Sequence, residues 1–168
     1  MPLNLELKSK VSSHSKIMQY LKEIDAEFAN ELNQKDVYYK IKDGLLKLRI
    51  ENGQQTLIKY NRDEKGKERW SEYYLLKISE GDGEKMFGKI FKIETIVEKK
   101  RLLYMYDNTR VHLDKVKNLG TFIELETLVL SGKKNASKRF YKIIDLLHLD
   151  LKKQIKKSYR DLLIEKNK

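Results

Sequence analysis

Polar and apolar residues alternate in the stretch NLELKSKV near the start of the chain. Successive side chains of a β-strand point to opposite faces of its sheet, so this pattern predicts a strand with one polar face and one largely apolar face. The polar face carries Asn4, Glu6, Lys8 and Lys10. Such a face can meet water, or it can line a cavity that holds a charged ligand.

Apolar residues at helical spacing predict four helices. The longest covers HSKIMQYLKEIDAEFANEL, residues 14–32, behind a cap at Ser13 or Ser15. Further helices are predicted over residues 84–90, 136–148 and 150–165.

Three dipeptides typical of tight turns set the predicted registers of the strands. Asp43-Gly44, Asn52-Gly53 and Asp107-Asn108 each predict a two-residue hairpin in which the flanking residues pair and share a face. One charged face then combines Lys40, Lys42, Lys47 and Arg49 with Thr56, Ile58, Tyr60 and Arg62. A second combines Lys99, Arg101, Leu103 and Met105 with Arg110, His112 and Asp114.

About eight strand-like runs lie between the predicted helices, which indicates an α+β fold. Helices that cover the apolar faces would leave the charged faces on the far side of the sheet. Eight antiparallel strands can close into a barrel whose interior holds one small ligand, and the charged faces would then line its lumen. An open sheet with one wet face fits the alternation equally well. We expect residues 1–168 to form a single domain.

Composition narrows the classes of protein. The chain has 168 residues, a formal net charge of +11, no cysteine and one proline. The absence of cysteine excludes disulfides and thiolate zinc sites and, with no signal-peptide pattern, favours the cytoplasm. No apolar run approaches the length that a membrane span requires. The basic charge favours an anionic partner such as a phosphorylated small molecule or a nucleic acid.

Two motif-like stretches do not support the chemistry that they resemble. GEKMFGKI nearly matches a phosphate-binding P-loop, but Ile90 stands where a hydroxyl must reach the metal, so a surface turn with a short helix is the better prediction. RVHLD places His112 and Asp114 on one strand face without a nucleophile, so a hydrolytic triad is not predicted.

Carboxylates occur among the cations of the predicted charged faces. Glu124 and Glu126 share a strand face, and Glu6 and Asp114 lie on faces of their own. They can form cross-strand ion pairs, or they can hold an ion that bridges the phosphates of a ligand. Oxygen ligands without a histidine cluster suit Mg²⁺ or Mn²⁺ better than zinc.

An ordered series of motifs resembles the CYTH family of triphosphate tunnel enzymes, and most closely its class IV adenylyl cyclase-like branch. The series runs nearly end to end and comprises NLELKSK, QKDVYY, GLLKLR, YNR with RWSEY, VEKKR, NTRVHLDKV, LGTFIELE and SYRDLL. The resemblance implies an eight-stranded antiparallel tunnel with flanking helices, a triphosphate substrate and a divalent ion.

The resemblance also implies roles for residues. Glu6 and Glu126 would bind the metal, with Glu124 and Asp114 as further candidates. The phosphates would bind Lys8, Lys47, Arg49, Arg62, Arg69, Lys99, Arg101 and Arg110. Within these sets, Lys8, Arg101, Arg110 and Asp114 are the predicted catalytic residues. Asn4 departs from the family pattern, which has a glutamate there, and this bears on whether one or two ions bind.

The sequence leaves the reaction open. An adenylyl cyclase would convert ATP to cyclic AMP and pyrophosphate, whereas a triphosphatase would hydrolyse thiamine, nucleoside or inorganic triphosphate. A binding protein without catalysis is a third hypothesis. A barrel that binds RNA or single-stranded DNA is less favoured, and it would need exposed aromatics among Tyr38, Tyr39, Tyr60, Trp70, Tyr73 and Tyr74. A homodimer is compatible with the sequence.

Overall fold

The alternating strands close into an antiparallel barrel. The computed structural model describes residues 2–63 and 65–168. Its strands are β1 (Leu3–Lys10), β2 (Glu27–Tyr39), β3 (Leu45–Glu51), β4 (Gln54–Asp63), β5 (Arg69–Ile78), β6 (Ile93–Tyr106), β7 (Thr109–Val116) and β8 (Gly120–Leu128). Its helices are α1 (Ser15–Glu23), α2 (Gly83–Ile90), α3 (Lys133–Leu146) and α4 (Tyr159–Lys166). The strand order is β1-β5-β4-β3-β2-β6-β7-β8, and β8 pairs with β1 to close the ring.

Two tight turns determine which faces look into the barrel. Glu51 pairs with Gln54 across Asn52-Gly53, and Tyr106 pairs with Thr109 across Asp107-Asn108, so both predicted registers are confirmed. All four turn residues have positive φ, between 45° and 77°, as two-residue hairpin turns of this hand require. The two predicted charged faces, one on β3 and β4 and the other on β6 and β7, therefore both point into the lumen.

The predicted hairpin at Asp43-Gly44 is wrong. β2 ends at Tyr39, which pairs with Leu46, so Lys40 and Lys42 lie in a longer loop and are exposed. Gly44 is needed there for a different reason: it has φ +74°, and an added Cβ would lie 2.7 Å from the carbonyl oxygen of Tyr60. The glycine allows the loop to approach β4 closely, and it does not mark a two-residue turn.

The first helix is shorter than predicted. α1 ends at Glu23, Asp25 takes φ +53°, and the amide of Ala26 donates to the carbonyl of Leu21 in a Schellman-type termination. Phe28 and Leu32 belong to β2. Their spacing of four residues fits one face of a helix and also one face of a regular strand. Pairing with β6 makes them strand residues, and a bulge between Phe28 and Asn30 puts the two on different faces, opposite Tyr104 and Arg101.

The C-terminal tail is only partly helical. After a 3₁₀ turn at Leu151–Lys153, Gln154 and Ile155 run extended, and the amide of Ile155 donates to the carbonyl of Lys8. α4 then begins behind Ser158, whose side chain forms a capping box with Asp161. The extended stretch brings the start of α4 against the barrel.

Helices cover the outer apolar faces and leave the polar faces inside. α1 and α3 pack on β1, β7 and β8, where Leu5, Leu7 and Leu125 are fully buried. α2 packs through Phe87 on Tyr39 of β2. GEKMFGKI forms this surface helix, as predicted. Within the described residues, no helix is long and apolar enough to span a membrane.

Candidate functional site

The lumen contains a polar cavity of about 290 Å³. Ten of the twelve predicted site residues line it: Glu6, Lys8, Lys47, Arg49, Arg62, Lys99, Arg101, Arg110, Glu124 and Glu126. The other two, Arg69 and Asp114, are buried in the wall directly behind lining residues. The alternation along the strands therefore brings side chains from all parts of the sequence to one enclosed space.

One group of lumenal cations is bound by an internal carboxylate. Asp36 of β2 is fully buried and accepts hydrogen bonds from Arg49 (2.8 Å, twice), Lys47 (2.8 Å) and Lys99 (3.0 Å). Burial alone would raise the pKa of Asp36, but the three cations hold it well below its ordinary value. We call Asp36, Lys47, Arg49 and Lys99 the Asp36 cluster.

A second group of cations lacks such partners. The Nε and Nη1 atoms of Arg62 and the Nε and Nη2 atoms of Arg69 are buried without a hydrogen-bond partner among the described residues. Their nearest carboxylate is Glu6, whose Oε2 lies 3.6 Å from each Nε. Buried guanidinium donors without acceptors are costly unless an anion supplies the acceptors. We call Arg62 and Arg69 the arginine pair.

Glu6 lies between the arginine pair and the carboxylates of β8. It pairs in register with Glu126 across β1 and β8. Burial raises the pKa of Glu6, an effect that Arg62 opposes and Glu126 reinforces. The pKa of Glu6 therefore depends both on the arginine pair on one side and on the carboxylates of β8 on the other.

The carboxylates of β8 face a histidine of β7. Oε1 of Glu124 lies 3.8 Å and Oε1 of Glu126 lies 4.0 Å from Nδ1 of His112, and one ligand atom from each of the three residues lies within 4.8 Å of the others. Burial lowers the pKa of His112, and Arg101 adds to this effect. We call His112, Glu124 and Glu126 the carboxylate–histidine group.

A buried network supports this group from behind. Arg101 donates to both oxygens of Asp114 (2.6 and 2.7 Å) and to Oε1 of Glu124 (3.0 Å). The hydroxyl of Tyr159, at the start of α4, also donates to Asp114 (2.7 Å). Asp114 is completely buried and does not line the cavity. It therefore orients Arg101 and does not itself face a ligand.

Lys8 lies where β1 meets the C-terminal segment. Its Nζ donates to the carbonyl of Lys157 (3.0 Å), lies 3.3 Å from Oε2 of Glu124 and stands 4.2 Å above the ring of Tyr159. Burial lowers the pKa of Lys8 to about 7, although Glu124 opposes the shift. This cation is consequently held in a dry and crowded place.

Sequence reasoning missed several residues of the cavity and its wall. Asp36 carried a signal, because it lies two residues from Tyr38 in QKDVYY and so falls on the lumenal face of β2. Tyr159 carried none, because its position depends on the path of the tail. Asn4 does face the cavity, and its Oδ1 is buried without a partner among the described residues.

The aromatic residues do not form the exposed surface that a single-stranded nucleic acid would need. Tyr38, Tyr60 and Tyr73 line the cavity, Tyr39 is buried behind α2, and Trp70 is half-buried. Among the six candidates only Tyr74 is well exposed. These side chains act as wall packing at the described positions.

Comparison with known proteins identifies the family. A family model described as CYTH domain matches residues 3–159, nearly the whole chain. The chain belongs to the CYTH domain family. CYTH domains bind triphosphate substrates and use a divalent metal ion, and the family includes adenylyl cyclase-like enzymes and triphosphatases.

Individual relatives of this CYTH domain share its length and its barrel. A protein from Methanocaldococcus jannaschii, provisionally named an adenylate cyclase, is 27% identical over 174 residues, which cover 95% of this chain and 98% of the relative. The structure of PH1012 from Pyrococcus horikoshii has a TM-score of 0.82 at 24% identity, over 95% of this chain and 98% of that one. A Hippeastrum protein described as having a dominant triphosphatase activity has a TM-score of 0.68 at 10% identity, over 100% and 97% of the two chains.

Proposed function

We propose that this protein is a metal-dependent enzyme that holds ATP by its triphosphate in the lumen and converts it to cyclic AMP and pyrophosphate. The observation that supports this most directly is the arginine pair. Its buried donors lack acceptors in the part of the chain that the structure describes, and they lie across Glu6 from a group of carboxylates suited to a divalent ion. Phosphate oxygens are acceptors of the required charge and geometry.

Charge within the barrel supports a polyanionic ligand. The described cations that line the cavity or contact its carboxylates are Lys8, Lys47, Arg49, Arg62, Arg69, Lys99, Arg101 and Arg110. The corresponding carboxylates are Glu6, Asp36, Glu51, Asp114, Glu124 and Glu126. Eight cations against six carboxylates leave two formal positive charges. A divalent ion adds two, and a triphosphate monoester with about four negative charges balances the total.

The carboxylate–histidine group fits a divalent ion. His112 Nδ1 has no hydrogen-bond partner among the described residues, although two carboxylate oxygens face it. Glu124 and Glu126 would hold the ion, with Glu6 at their side. When bound, such an ion neutralises charge on the phosphates and makes the attacked phosphorus more electrophilic.

The lumenal cations would align the phosphates. In this proposal the arginine pair, Lys8 and the Asp36 cluster bind non-bridging oxygens of the triphosphate. These contacts restrict the triphosphate to one conformation. The 3′-hydroxyl of ATP then loses its proton to water and attacks the α-phosphorus. The bond from this phosphorus to the oxygen that bridges it to the β-phosphate breaks, and pyrophosphate leaves. Arg101 and Arg110 stabilise the charge that develops on the phosphates, while Asp114 keeps Arg101 in place.

Hydrolysis of a triphosphate is the second candidate function. The cavity, at about 290 Å³, lies just below the range of about 300–1,000 Å³ for ligand pockets, so it suits a phosphate chain better than a whole nucleotide. Water would then attack the terminal phosphorus, and the group at the other end of the chain would lie at a mouth. The Hippeastrum relative is described by such an activity.

Phosphorus NMR with ATP and either Mg²⁺ or Mn²⁺ distinguishes the reactions. We expect cyclic AMP and pyrophosphate. Orthophosphate release from ATP or inorganic triphosphate would replace the cyclase by a triphosphatase. No turnover of either compound by folded protein would contradict both and leave a binding protein.

Glu126→Ala should abolish metal-dependent turnover and leave the protein folded, because this side chain faces the cavity and is not part of the core. Circular dichroism and thermal unfolding provide the check on folding. Unchanged turnover in this variant would contradict the proposed metal site. Glu31→Ala, which breaks an exposed ion pair with Lys100, is the matched control and should leave turnover unchanged.

A further inference from the structure

His112 has no role in the predicted set of metal ligands, yet its environment is unusual. Its side chain is 4% exposed, and Nδ1 is buried without a hydrogen-bond partner among the described residues. An unpaired buried polar atom is destabilising, so natural proteins rarely keep one without a ligand, an ion or a water molecule. The atoms that face this nitrogen therefore indicate what it binds.

The distances around Nδ1 fit a shared ion better than hydrogen bonds. Nδ1 lies 3.8 Å from Glu124 Oε1 and 4.0 Å from Glu126 Oε1, which is too far for a hydrogen bond. Adjacent ligands of one ion with bonds of about 2.1 Å lie about 3.0–3.4 Å apart. The oxygens facing Nδ1 would therefore move about 1 Å or less towards it when an ion binds.

The other contacts of the two carboxylates leave these oxygens able to coordinate. Glu126 uses Oε2 for Arg110 (3.0 Å), which leaves Oε1 towards His112. Glu124 Oε1 accepts one bond from Arg101 (3.0 Å), and a carboxylate oxygen has a second lone pair for an ion. Glu6, in contrast, is drawn by the arginine pair to the other side.

We propose that His112 is a direct nitrogen ligand of the divalent ion, together with Glu124 and Glu126, and that this nitrogen makes the site prefer Mn²⁺ or a later first-row ion to Mg²⁺. The proposal rests on the proposed function only in assuming that the lumen holds the ion. Imidazole suits first-row transition ions, whereas Mg²⁺ prefers sites made of oxygen alone.

Pulsed electron paramagnetic resonance of Mn²⁺ bound to the protein, without nucleotide, tests the ligand directly. We expect nitrogen modulation from one imidazole that changes its pattern when histidine is labelled with ¹⁵N. The wild-type protein suffices for this measurement, so a variant that fails to fold cannot obscure it. Absence of nitrogen coupling at saturating Mn²⁺ would overturn the proposal.

Variants assign the signal and measure selectivity. His112→Asn, which offers an oxygen near the same position, should lose the coupling and reduce the ratio of Mn²⁺ to Mg²⁺ affinity by about 10-fold or more in calorimetric titrations. His148→Asn is the matched control, because His148 has φ +52°, which Asn tolerates, and lies outside the lumen. Coupling lost in His148→Asn, or an unchanged ratio in His112→Asn, would contradict the assignment.

The two proposals can fail separately. Nitrogen coupling in a protein that turns over no triphosphate would keep the ligand and remove the reaction. Turnover without nitrogen coupling, and with equal affinity for Mg²⁺ and Mn²⁺, would keep the reaction and remove His112 from the metal.

Discussion

The Asp36 cluster and the arginine pair hold similar cations in one lumen, but their partners differ. Every cation of the cluster donates to a fully buried carboxylate at 2.8–3.0 Å, whereas four buried nitrogens of the pair have no acceptor within residues 2–63 and 65–168. Each cation of the cluster therefore has an internal acceptor, although one carboxylate offsets only part of the charge of three cations. The same residue types thus divide into cations that donate to a buried carboxylate and cations whose buried donors are left for an anion.

Asp36→Asn should give the largest effect on stability. It leaves Lys47, Arg49 and Lys99 buried without their counter-charge, and breaking a buried ion pair from one side costs about 3–5 kcal/mol. Urea unfolding should show this loss of free energy of unfolding, and inorganic triphosphate should restore part of it. Glu31→Gln, on the exposed end of the same strand, is the control and should change stability by less than about 1 kcal/mol. A similar small change in Asp36→Asn would remove the distinction between the two groups.

Arg62→Met should affect binding and spare stability. Hydrogen bonds to charged groups contribute about 1.5–3 kcal/mol, so the affinity for inorganic triphosphate should fall about 10- to 100-fold. The free energy of unfolding should fall much less than in Asp36→Asn, because unpaired buried donors are removed and Arg69 stays 3.6 Å from Glu6. Calorimetry and urea unfolding measure the two quantities. The control is Lys59→Met, on the outer face of the same strand, which should change neither the affinity nor the free energy of unfolding strongly. A loss of stability in Arg62→Met without a loss of affinity would show that Arg62 has a structural role and does not bind the ligand.

Lys8 should give the ligand-free and metal-free protein a modest pH dependence of stability. The folded protein releases the lysine proton near pH 7, whereas the unfolded chain keeps it to about 10.5, so unfolding takes up a proton between these values. The free energy of unfolding should therefore rise with pH in this window. Lys8→Met should flatten the rise in urea unfolding series, while Lys10→Met, exposed on the same strand, should not. An equal slope in both variants would assign the effect to other groups.

Local sequence signals predicted the lumenal face well wherever a turn determined the register. The turn at Asn52-Gly53 predicted a common face for Arg49 and Arg62. The turn at Asp107-Asn108 did the same for Arg101 and Arg110. Asp43-Gly44 misled because its glycine serves a close approach to Tyr60 and not a tight turn. All three dipeptides are typical of tight turns, but the tertiary contacts around them differ.

Contacts between distant parts of the chain were beyond the local pattern. Asp36 has the strand parity of the lumenal Tyr38 and was still missed, because only the pairing of β2 with β3 and β6 reveals that three cations share its carboxylate. Tyr159 reaches Asp114 because the extended tail returns along β1. The apolar residues of the stretch 24–32 are spaced in a way that fits both a helix and a strand. Only the pairing with β6 shows that the stretch from residue 27 is a strand.

Ring closure also has a consequence for the nascent chain. β1 is synthesised first, but its neighbours are β5 and β8, so its second edge stays open until residues 120–128 have been made. Pairing over such sequence separations is slow, and open edges invite other chains. Inward-pointing charges discourage that pairing. Glu6 and Lys8, which line the cavity of the finished barrel, should thus also discourage aggregation of the unfinished protein during its synthesis.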